Sequence, residues 1–173
     1  SYYFKTNTLL KNLVGKDLIN DDNIAIVELV KNSYDAGSPT VEVVFEKLTE
    51  EGSTNSGSRI LIRDVGAGMT LADIQDKWLN IAYSEKKKIA QENGAYYAGN
   101  KGIGRFSCDR LGARLDLLTR CKKGDVLHLP IAWPDFEIEG EKDLLIQNIP
   151  LYIKAIYATD VTEISGLNSF PAH

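Results

Sequence analysis

The chain has 173 residues, 43% hydrophobic and 25% charged, with a formal net charge of −4. This composition argues against a disordered chain or a membrane protein, and the acidic balance argues against a nucleic-acid surface built on bulk positive charge. No apolar run approaches the roughly eighteen residues of a spanning helix and no signal-peptide pattern opens the chain, so the expected setting is cytoplasmic, without a membrane partner. The two cysteines, Cys108 and Cys121, follow no metal-ligand spacing and read as reduced core thiols. Residues 1–173 read as a single domain, expected to be an N-terminal fragment of something longer.

Taken in chain order, NTLLKNLVGKDL (7–18) carries apolar residues at helical spacing and predicts an opening helix. NDDN announces a second helix that runs through IAIVELVKNSYDA and stops at Gly37, with Pro39 close behind. On it, Ile26, Val27, Leu29, Val30 and Tyr34 are expected to pack on the sheet. TVEVVFE reads as a strand, LTEEGSTNSGS as a loop, and RILIRDVGAGM as a second strand ending in a glycine turn, which together make a hairpin. TLADIQDKWLNIA is helical, with Thr70 as its cap. The charged and then small stretch YSEKKKIAQENGAYYAGN reads as a connection, and RFSCDRLG as a helix that starts at a glycine loop. RLDLLTRC, KKGD and VLHLPIAW predict another hairpin, and strands are expected at both ends of DLLIQNIPLYIKAIYATDVTEI. Helices alternating with hairpins indicate an α/β sandwich rather than a doubly wound parallel sheet.

Three pieces carry chemistry. Glu28, Asn32 and Asp35 stand at i, i+4 and i+7, inside a helical stripe roughly 60° wide. The stripe is either a solvated face or a set of oxygen ligands suited to a hard cation such as Mg²⁺, which keeps several waters and needs few protein ligands. In RDVGAGMT, Asp64 closes a strand, with Gly66 and Gly68 after it. That is either a plain strand-ending turn or a buried acceptor for an exocyclic amine in a flat apolar slot. GNKGIGRFS (99–107) lacks the Lys-Ser/Thr of a Walker loop and the third glycine of a dinucleotide fingerprint. What remains is a bare loop feeding a helix N-terminus, where free amides favour phosphate and Lys101 and Arg105 add charge.

In this order, ELVKNSYDAG, DVGAGMT and GNKGIGRFS resemble the N box and the two glycine boxes of the GHKL ATPase superfamily of gyrase, Hsp90, histidine kinases and MutL. The chaperone and gyrase branch looks nearest, and NIAYS (80–84) is similar to the chaperone segment before the lid. The resemblance implies a Bergerat fold: a two-layer α/β sandwich with a mixed, mostly antiparallel sheet and helices on one face. It implies ATP and Mg²⁺ as cofactors, Glu28 as the general base and Asn32 as the Mg²⁺ ligand, with Asp35 supporting that network. Asp64 would accept from the adenine amino group, Gly66 and Gly68 would give the base room, and Met69 would pack on its ring. Gly99, Lys101, Gly102, Ile103 and Gly104 would wrap the phosphates, and residues 84–101 would form the ATP lid. The threonine usual on a late strand of the superfamily is replaced by Leu167 in EISGLNSF.

Three readings follow from the resemblance. The first is an ATP-driven conformational switch, hydrolysing slowly and closing as a homodimer around a protein or DNA client. The second is a histidine-kinase-like phosphotransfer domain, and the third is a nucleotide-sensing module without turnover.

Overall fold

The computed structural model describes residues 1–5, 21–48, 57–80, 107–136, 149–157, 160–161 and 164. The opening helix expected at 7–18, the lid expected at 84–101 and the loop residues 99–106 lie outside them, as does Leu167.

Helix α1 spans Asp22–Asp35. The Asp21 side chain caps it by accepting the Asn23 N–H at 2.7 Å, satisfying one of the donors that a helix start leaves over. Its other end closes as a Schellman motif. Gly37, at φ +77°, donates its N–H to the Tyr34 carbonyl, and Ser38 donates to that of Ser33.

The helix buries a face shifted from the one expected: Ile26, Leu29 and Val30 are half-buried, but the fully buried positions are others. Ala25 and Ser33 are buried, whereas Val27 and Tyr34 are exposed, Tyr34 by 70%. The small residues at 25 and 33 lie on one face and let the helix approach its neighbours closely, and the larger Val27 and Tyr34 fall on the far side.

Strands β1 (Val41–Glu46) and β2 (Arg59–Asp64) form the first antiparallel hairpin, pairing Val41 with Asp64 and Glu46 with Arg59. β-Branched and aromatic residues suit this pleated surface, and Arg59–Glu46 and Arg63–Glu42 ion pairs cross it. After the glycine turn, helix α2 holds only Leu71–Asp73 and continues as a π-turn over Ile74–Trp78. The longer α-helix expected from TLADIQDKWLNIA is corrected here. The Leu79 N–H reaches the Ile74 carbonyl at 2.8 Å, a wide turn that leaves Ile74 and Leu79 both buried.

Helix α3 (Ser107–Leu111) leads into β3 (Arg114–Thr119), β4 (Val126–Ala132) and β5 (Lys154–Ile156), an antiparallel sheet in the order β3-β4-β5. The β3–β4 hairpin is where it was expected. In the tail, a strand lies mid-segment at Lys154–Ile156, and Asp160, Val161 and Ile164 are helical, so the strand expected at the end of that segment is corrected; the one expected at its start lies outside the described residues. Val161 donates its N–H to the Tyr157 carbonyl four residues back, which turns the chain out of extended geometry.

The mixture of helices and antiparallel strands is the α/β class expected. Among the described residues the strands divide into two sheets, β1-β2 and β3-β4-β5. Phe4, Ile74, Leu79, Leu129, Ile131, Trp133 and Leu151 make the main core. The N-terminal residues are stitched into it. Tyr2 pairs with Leu151 in both directions, and the Lys5 N–H donates to the Leu79 carbonyl at 2.7 Å. No helix among the described residues is long and apolar enough to cross a membrane.

Candidate functional site

Asp64 ends β2 facing the buried side of α1. The Ser33 hydroxyl, in a residue only 4% exposed, donates to Asp64 Oδ2 at 2.9 Å, and the Gly66 N–H donates to Oδ1 at 2.9 Å. The carboxylate is therefore fixed in orientation by one donor on each oxygen, and it remains solvent-exposed. A carboxylate offers about four lone-pair sites, so capacity remains for an incoming amine.

The segment after Asp64 is held along its length. The Val65 N–H donates to Ser38 Oγ at 2.9 Å, and that hydroxyl in turn donates to the Thr40 carbonyl. Ala67 donates to the Ala36 carbonyl, Met69 to Thr119 Oγ1, and Thr70 to Asp73 Oδ2.

The glycines serve the same packing. A Cβ at Gly66 would lie 2.8 Å from the Ala36 Cβ, and one at Gly68, whose φ is +69°, would collide with the Arg120 carbonyl. The bare backbone in this turn admits the end of α1 and the end of β3. Its amides at 65, 66, 67, 69 and 70 all have acceptors within the protein, so this turn is not an anion nest.

On α1, Glu28 and Asp35 are half-buried and Asn32 is exposed. Glu28 Oε1 pairs with Lys31 Nζ at 2.7 Å. A partly exposed i,i+3 pair of this kind is worth a few tenths of a kcal/mol, roughly, and does not lock the carboxylate. Arg110 of α3 bonds to Asp22 at 2.6 Å and ties the start of α1 to the helix that follows the second glycine loop. Gly99, Lys101, Gly102, Ile103 and Gly104 lie outside the described residues.

Thr70 and Asp73 form a capping box at the start of α2. Hydrogen bonds from the Thr70 hydroxyl and then its backbone N–H hold the Asp73 carboxyl down to about 2. Cys108, half-buried at the start of α3, sits where the neutral thiol is favoured. Burial, helped by the Asp109 charge, pushes its thiol up to about 12 and keeps it protonated.

The family model described as histidine kinase-, DNA gyrase B- and HSP90-like ATPase matches residues 20–163. The chain belongs to this ATPase family. Membership implies ATP binding, and it agrees with the α/β architecture of helices and antiparallel strands. A comparison with curated proteins finds none that matches. The residues present are of the kinds the family's ligand needs: Asp64 is an oriented, exposed carboxylate at the end of a strand, Met69 follows it partly buried, and Asn32 is an exposed amide on the same helix as Glu28 and Asp35. Among the described residues, no three His, Cys, Asp or Glu side chains gather as a metal site. Mg²⁺ carried largely by water and phosphate does not require such a cluster.

Sequence reasoning missed Ser33, Ser38 and Thr119. Ser33 left a signal. It stands at i+4 and i+8 from Leu29 and Ala25, and a hydroxyl on the buried face of a helix needs a partner. Ser38 and Thr119 carry no pattern that singles them out, because their partners are backbone amides elsewhere in the chain.

Proposed function

We propose that this domain of the ATPase family binds Mg-ATP through adenine recognition at Asp64, and hydrolyses it slowly to drive a conformational change in a larger protein. The supporting observation is the Ser33–Asp64 hydrogen bond. It joins the helix carrying Glu28 and Asn32 to the strand end carrying the adenine acceptor, so the two halves of the site keep a fixed relation.

Asp64 accepts from the adenine amino group, and guanine, which presents a carbonyl there, leaves the carboxylate facing an acceptor. Met69 packs on the ring. Asn32 holds Mg²⁺ by its side-chain oxygen, with Asp35 beside it. When bound, Mg²⁺ supplies charge compensation along the phosphates. Glu28 orients water and takes its proton as general base.

The amides of residues 65–67, 69 and 70 are occupied within the protein, which supports assigning phosphate binding to the second glycine loop: Gly99, Lys101, Gly102, Ile103 and Gly104, under a lid at about 84–101. The chaperone and gyrase branch remains the proposed relation, with ATP-dependent homodimer closure in the full-length protein and a cytoplasmic setting.

Calorimetry tests the reading. ATP is expected to bind at least about tenfold more tightly than GTP, and omission of Mg²⁺ is expected to weaken binding. Asp64→Asn should remove the preference for ATP, since an amide cannot accept from Ser33, Gly66 and adenine together. Equal affinity for ATP and GTP in the parent chain overturns the assignment of Asp64.

A further inference from the structure

The two ends of the turn from Asp64 to Met69 are held by different parts of the molecule. The Asp64 end hangs from α1 and its cap, through Ser33, Ala36 and Ser38. The Met69 end is held from β3. The Met69 N–H donates to Thr119 Oγ1 at 2.9 Å, across a sequence separation of 50 residues. Thr119 is the last residue of β3 and is buried, with 6% exposure. One residue further on, the Arg120 carbonyl packs so closely on Gly68 that no side chain fits there. One polar contact and one steric contact thus dock the second sheet onto the turn of the first.

We propose that Thr119 is a positioning residue for nucleobase recognition. Its hydroxyl fixes the backbone of Met69, so that the Met69 side chain on the ring face and the Asp64 carboxylate at the ring edge meet one base at a set separation. The inference rests on the adenine reading of Asp64 and goes beyond it by naming what registers the two contacts. The chemistry requires a hydroxyl at 119. Valine fills nearly the same volume but leaves the Met69 amide without an acceptor, and an unsatisfied amide releases the turn rather than holding it.

Two measurements on the same variants test this. By amide hydrogen exchange, Thr119→Val should speed exchange at Met69 by about tenfold while leaving Ala67, whose acceptor is the Ala36 carbonyl, close to the parent rate. By calorimetry, Thr119→Val should weaken ATP about tenfold and GTP by less than about twofold, shrinking the preference, and Thr119→Ser should restore it.

A purely structural role would lower the affinity for both nucleotides together, and that result overturns the inference. A Thr119→Val chain that prefers ATP as strongly as the parent also overturns it. Should the valine chain fail to fold, Thr119→Ala set against Thr119→Ser decides. Loss in alanine with recovery in serine supports the role, and equal discrimination in both removes it. A parent chain with no preference for ATP overturns the adenine reading itself, and the inference falls with it.

Discussion

Glu28→Gln keeps the size of the side chain and removes its capacity to take a proton. If Glu28 is the base, turnover should fall by about 10²–10⁴-fold while ATP binding stays within about twofold of the parent. Turnover at the parent rate would remove Glu28 from that role. The glycines offer a sharper structural contrast. Gly37 and Gly68 both have positive φ, but a methyl at Gly37 would meet nothing within 4 Å, whereas one at Gly68 would run into the Arg120 carbonyl. Gly37→Ala should cost about 1–2 kcal/mol from backbone strain alone. Gly68→Ala adds a steric clash with backbone that cannot swing away, and should cost at least about 3 kcal/mol or prevent folding. Urea unfolding of the two variants checks the order. At this scale, residues that act on their immediate neighbours were legible, such as the Thr70 cap and the glycine turn that follows Asp64. Hydroxyls that serve a distant backbone amide, such as Ser38 and Thr119, were not, because nothing local marks their partners.

Elements follow the same division. Helix α1 and the two hairpins were legible because capping residues, β-branched runs and turn residues act within a few positions of one another. Which face α1 buries was not. The small Ala25 and Ser33 win over the larger apolar Val27 and Tyr34 because close approach to β2 and the Asp64 bond decide the orientation. The π-turn at Ile74–Trp78 was likewise set by burial of Ile74 and Leu79 and not by local preference. The start of α2 makes a prediction of its own. Thr70→Ala should cost about 1 kcal/mol at neutral pH by removing the cap. In the folded chain, Asp73 titrates at about 2 instead of 3.8, so its contribution is whole above about pH 4 and is lost as the pH falls through about 2. The stability gap between the variant and the parent should therefore narrow over that interval, as acid titration of thermal unfolding would reveal.

Across the whole molecule, one N-terminal side chain links parts far apart in sequence. Phe4, 1% exposed, packs on Trp78 at the end of the π-turn and edge-on against Phe136, while Tyr2 and Lys5 bond to Leu151 and Leu79 on either side. Phe4→Ala leaves a cavity at that junction and should cost about 3–5 kcal/mol, measurable as a lower urea midpoint with little change in slope. The fold was legible as a class, with alternating helices and hairpins. The division of the described strands into two sheets in contact at the glycine turn was not, since the joining contacts run between segments that carry no mutual signal.

Trp78 and Trp133 are the chain's two tryptophans, and both border the same aromatic cluster: Trp78 packs near Phe4 and Trp133 near Phe136. The protein thus carries a built-in optical probe confined to one neighbourhood. Its indole emission reports that cluster alone, and the red shift on denaturation records the cluster's exposure to water. Because Met69 packs against the same core, a nucleotide that presses on Met69 should alter the emission without any dye being attached.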